Sequence, residues 1–120
     1  MRIISDTGYG ALSNDSNMPL LFRTNATERA RITSTGTFQL TNNYQEGVLT
    51  ANTGTAYTID LVNGTLQILT LTGNCTFTFP TATAGQSFTM LLRQDGTGGR
   101  TVTWPAAVRW PGNTAPTITS

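Results

Sequence analysis

The 120-residue chain has no histidine, no lysine and a single cysteine, and only 11% of its residues are charged. Each shortage excludes a class of chemistry. Without histidine, the usual general base of a serine or cysteine hydrolase is missing, and so is the commonest metal ligand. The six carboxylates, Asp6, Asp15, Glu28, Glu46, Asp60 and Asp95, are scattered, and no two are spaced to pair on one strand face as glycosidase chemistry requires. A lone Cys75 can form neither an intrachain disulfide nor a zinc site. In NCTFTF it alternates with Phe77 and Phe79, which reads as a core thiol. A net charge of +1 with no basic cluster gives no electrostatic case for nucleic acid or an anionic membrane. No apolar run approaches the roughly 18 residues a membrane helix needs. The start, MRIISDTGYG, is too short and polar for a secretory signal, so the chain reads as made in the cytosol and unprocessed. These absences argue against an enzyme, a cofactor or metal site, a nucleic-acid partner and membrane insertion.

What is abundant is threonine, about a fifth of the chain, while all seven positive charges are arginine. Threonine's β-branched side chain suits a pleated strand and keeps a hydroxyl for solvent, so this is a β composition that gains solubility from hydroxyls rather than charge. No 3.6-residue apolar stripe is long enough for a helix, whereas two-residue alternation recurs throughout. Residues 1–17 are rich in Gly, Ser, Asn and Asp after RII and read as an extended arm. Residues 18–47 hold short strands around Leu21–Arg23 and Ala30–Ile32, joined by an Asn-centred turn and followed by a Ser34-Thr35-Gly36 turn. They carry too few apolar side chains for an independent core.

From Val48 the alternation strengthens. AYTIDLV sets Tyr57, Ile59 and Leu61 against Thr58 and Asp60, and Asn63-Gly64 then reads as a type I′ hairpin turn into TLQILTLT. The apolar phase of that strand slips between Ile68 and Leu69, as at a β-bulge or in a strand buried on both faces. CTFTF, SFTMLLRQ and RTVTW follow, so residues 56–110 read as five strands of antiparallel sheet with regular turns. The fold expected is all-β: a short-strand segment, then a small antiparallel sandwich or barrel-like module over 48–120.

The glycine-rich QDGTGG lies between two alternating strands and lacks both the lysine and the following helix of a phosphate-binding loop, so it reads as a hairpin turn. Trp104-Pro105 and Trp110-Pro111 each end a strand. Their rings either cap the core or form a stacking platform for sugar, with capping favoured because indole usually buries in a small β domain. In TERARIT, Glu28, Arg29 and Arg31 form a solvated charged edge in a monomer, or a ring of interchain Arg–carboxylate pairs in a trimer.

Two stretches carry a family likeness. PLLFRTNATERARITSTGTFQL resembles a recurring segment of tailed-bacteriophage fibre proteins. The run from LTLTGNCTFTFP through QDGTGGRTVTWP to WPGNTAPT resembles a β module of phage tail fibres and other virion proteins. Together they cover about 70 residues. The resemblance implies a virion structural protein without catalytic residues or cofactors, made in the host bacterial cytoplasm and most simply a homotrimer whose short strands complete their core between chains. Phe22, Arg23, Glu28, Arg29, Arg31, Ile32 and Phe38 are then the candidate trimer contacts. Asp95, Trp104, Arg109 and Trp110 are the candidate exposed loop surface. Expected partners are further copies of the chain, other virion proteins of the tail or the major capsid protein, and a host glycan or receptor. Family members usually continue past APT with further strands, so this chain reads as a shortened or minimal version. Its size also suits a cement protein that trimerises on the phage head, the alternative to a tail fibre; a carbohydrate-active enzyme is a remote third reading.

Overall fold

The computed structural model describes residues 2–6 and 9–118 and divides at Gln45/Glu46 into two compact units. The architecture is all-β.

In the first unit, β1 (Arg2–Asp6) pairs antiparallel with β2 (Tyr9–Ser13), so the stretch expected as an extended arm contains a hairpin. Next, β3 (Leu20–Thr24), β4 (Thr27–Ile32) and β5 (Phe38–Leu40) form a three-stranded antiparallel sheet with β4 in the centre. The β3–β4 turn is centred on Asn25 and Ala26, both at positive φ (50° and 57°), the backbone of a tight hairpin. The β4–β5 turn is closed by Thr33, whose hydroxyl accepts from the Thr37 amide at 2.9 Å. Phe22 pairs with Ala30 but Arg23 with Glu28, so Arg29 is an extra, bulged residue. That bulge resets the alternation and brings Glu28 onto the same face as Arg31.

In the second unit, β6 (Val48–Asn52), β8 (Leu66–Leu71) and β10 (Thr89–Gln94) form one sheet, and β7 (Ala56–Thr58), β9 (Cys75–Thr78) and β11 (Val102–Thr103) another. Every pairing in both sheets is parallel. The expected antiparallel module is therefore corrected. The chain runs along one sheet, turns a corner into the other, and returns one level further on, so each strand stacks on its counterpart in the previous turn of a short coil. The strands at Asn63-Gly64 and at QDGTGG are consequently not hairpin partners; these turns carry the chain between sheets.

The corners explain why. Asp60 accepts from the Val62 amide at 3.0 Å and caps a single 3-10 turn, Leu61–Asn63. Gly64 follows at φ 137°, where an added Cβ would lie 2.5 Å from the Gly47 carbonyl oxygen one coil below. Only glycine admits that approach. Buried Gln67 pins the same corner, its Nε2 donating to the Gly64 carbonyl at 2.6 Å.

Inward-facing side chains stack between levels: Leu49 with Gln67 and Met90, Ala51 with Leu69 and Leu92, Tyr57 with Phe77, and Cys75 with Val102. The buried core is Ile59, Leu69, Leu71, Cys75 and Phe77. Four of these belong to the middle level, which is covered from above and below. The core reading of Cys75 fits its burial here.

Candidate interaction surfaces

The register of β3, β4 and β5 places Leu20, Ile32 and Phe38 in one cross-strand row and Phe22, Ala30 and Leu40 in the next, all on one face. Ala30 is buried between its neighbours, but Phe38 is 61% exposed, Leu40 45%, Phe22 42% and Ile32 37%. The unit thus displays an apolar sheet face to solvent. On the opposite face Arg31 forms a two-point pair with Glu28, its Nη2 donating to Oε2 at 2.8 Å and its Nε to Oε1. This bond and the attraction between the charges raise the Arg31 pKa further above its ordinary value. Arg29 donates to the Thr24 hydroxyl at 2.8 Å, and Arg23 is exposed. Of the residues singled out in sequence, Phe22, Ile32 and Phe38 therefore share one face, while Glu28 and Arg31 meet on the other within a single chain. Leu40 and Leu20 complete the apolar rows. They were legible only from register, because the Ser34-Thr35-Gly36 turn brings β5 beside β4.

In the second unit, Asp95 is engaged inside its own corner. Its Oδ1 accepts from the Thr97 and Gly98 amides, both at 3.1 Å, and its Oδ2 from Arg100 Nη2 at 2.9 Å. Gln94 closes the same corner, accepting from the Arg100 amide at 3.0 Å and donating to its carbonyl at 2.9 Å. The glycines Gly98 and Gly99 take φ values of 69° and 68°. This geometry makes the QDGTGG segment a rigid self-satisfied corner.

The Arg100 hydrogen bond holds the Asp95 carboxyl below its ordinary pKa, burial opposing and the Gly98 and Thr97 amides assisting. A folded pKa that is depressed contributes stability above the ordinary carboxylate range, and that stability is lost as pH falls through the lowered value. In an NMR titration the Thr97 and Gly98 amide shifts should therefore move with a midpoint below that of an ordinary aspartate, and Asp95→Asn should abolish the transition. A midpoint at or above the ordinary value would contradict the network.

The tryptophans are half-buried. Trp104 stacks on Phe77 with ring centroids 5.8 Å apart and planes 18° from parallel, and Trp110 meets Trp104 edge-on at 5.1 Å. This is the geometry of a cap on the open end of the last level. Arg109 is exposed between them in sequence. Beside the cap lies a groove of about 610 Å³, lined by Phe79, Pro80, Gln86, Phe88, Pro105 and Val108 among others. The connections 79–88 and 104–110 build it, and no sequence motif announced it.

Among the described residues no three metal-ligating side chains cluster, and no helix is long and apolar enough to cross a membrane. No curated protein and no solved structure gives a significant match. A family model described as "Putative phage tail fibre C-terminal domain" matches residues 24–120, from the end of β3 through the whole parallel coil. With four-fifths of its length matched, this chain belongs to that phage tail-fibre family, and its role is that of a structural component of the virion.

Proposed function

We propose that the chain is a non-enzymatic part of a tail fibre that assembles as a homotrimer through the apolar face of β3, β4 and β5 and uses the last coil level for host contact. The observation that carries this reading is the pair of cross-strand rows left uncovered on a sheet with one buried apolar side chain, Ala30. A three-stranded sheet needs a covered apolar face for stability, and copies of the same chain supply one. The Glu28–Arg31 pair is satisfied within the chain and faces away from those rows, so the apolar residues rather than the charges would make the contact. The family description names the tail, which favours a fibre over a head cement. For host contact, Arg109 and the groove beside Phe79 and Phe88 offer a surface of loops held on a rigid scaffold, where binding residues commonly lie.

Light scattering on the full chain at micromolar concentration should give the mass of three chains. Phe38→Glu should lower it to that of one while the tryptophan fluorescence of the second unit stays native. A folded single chain in the wild type would refute the trimer. Release of sugar from a host surface polysaccharide by the purified protein would refute the non-enzymatic reading.

A further inference from the structure

The strand LQILTL is apolar at both parities, and the register through it is continuous on both edges, so no bulge accounts for the phase slip. Gln67, Leu69 and Leu71 point into the coil, which leaves Leu66 and Ile68 on the outside. Across the sheet the outward rows are Val48–Leu66–Thr89 and Thr50–Ile68–Leu91. Val48 is 48% and Leu91 45% exposed, and the two half-buried residues between them join them into a diagonal apolar stripe. The outer rows of the facing sheet are different, Ala56–Thr76–Thr103 and Thr58–Thr78, and their threonines are exposed. One outside of the coil thus bears an apolar stripe, whereas the other is hydroxylic.

We infer that the outer face of the β6–β8–β10 sheet packs against other copies of this chain, while the β7–β9–β11 face remains in solvent. The inference rests on the self-association proposed above and adds a second contact to it. Three considerations select this occupant. Parallel sheets are normally covered on both faces, and of the two outer faces of the coil only this one offers large apolar side chains to a cover, the other presenting threonines that water can satisfy. The stripe contains no charge, Arg93 standing in the rim row Asn52–Thr70–Arg93, so symmetry can repeat it without opposing like charges. The exposed parts of Phe22, Ile32, Phe38 and Leu40 amount to about 350 Å², whereas the apolar share of a stable interface, a little over half of roughly 800 Å² on each partner, is about 450 Å². A second apolar face narrows that shortfall, and every copy carries one.

Because Cys75 is the single cysteine and is buried, Leu91→Cys and Thr78→Cys each introduce one accessible thiol into the full chain. Maleimide labelling of the native assembly should spare Leu91→Cys and modify Thr78→Cys readily, and dilution to single chains should restore labelling of Leu91→Cys. Assembly of the wild type with both positions labelled equally, or with Thr78→Cys the protected one, would overturn this surface and leave self-association standing. A wild type that is a folded single chain at all concentrations would overturn both. Protection of Leu91→Cys only after a different virion protein is added would assign the stripe to that partner and equally overturn the inference.

Discussion

Replacing Gly64 by alanine is expected to destabilise the parallel coil by roughly 2–5 kcal/mol, a large part of the 5–15 kcal/mol that holds a typical domain. Two independent costs combine. The backbone at φ 137° is one that a residue with a Cβ rarely adopts, and the Cβ itself would meet the Gly47 carbonyl at 2.5 Å. Neither atom can yield cheaply, because Gly47 O accepts the Leu66 amide at 3.1 Å and so begins the β6–β8 ladder. Gly85 separates the two effects. It also has a positive φ, 80°, yet an added Cβ there meets nothing within 4 Å. Gly85→Ala should therefore cost only about 1 kcal/mol, from backbone strain alone. Urea unfolding followed by tryptophan fluorescence compares the two variants directly. Equal costs would show that the close approach of successive coil levels is not what requires glycine at 64.

Phe77→Ala is expected to cost about 3–5 kcal/mol, the usual range for deleting a buried ring. The side chain is 3% exposed at the centre of the middle level. Tyr57 approaches it edge-on at 6.1 Å from the first level, and Trp104 stacks on it from the third. One ring therefore couples all three levels, and its loss leaves a cavity that neither end can close without breaking parallel pairing. The same variant should shift Trp104 emission toward that of a solvent-exposed indole before global unfolding. Unfolding at wild-type denaturant concentration, with unchanged emission, would contradict the stacked column. Truncating Leu91, which is 45% exposed on the outer face, should cost single-chain stability far less than truncating buried Phe77.

The family to which the chain belongs was legible from ordered turn signatures, from TGN through QDGTG to WPG. Three apolar members of the candidate interface, Phe22, Ile32 and Phe38, were legible too, whereas Leu20 and Leu40 required the register. Asp95 was harder to place. A carboxylate in a glycine-rich turn looks the same whether it faces a partner or closes its own corner, and Arg100 decides this through a bond that depends on the path of the turn. The internal repeat was hidden for a related reason. Stacked positions are separated by 18 residues from Val48 to Leu66, 20 from Ala56 to Thr76, 23 from Leu66 to Thr89 and 27 from Cys75 to Val102, so no fixed period recurs.

By itself the sequence determined the all-β character, the strands β3 and β4 of the first unit and the inward residues of most later strands. These depend on local alternation, turn residues and composition. Only the tertiary structure decided that the second unit is parallel. A two-residue period specifies which side chains face inward but is indifferent to the direction of the neighbouring strand. That direction was settled by corners such as Asp60–Gly64, which pass the chain into the facing sheet, and by ladders that join strands a whole coil apart.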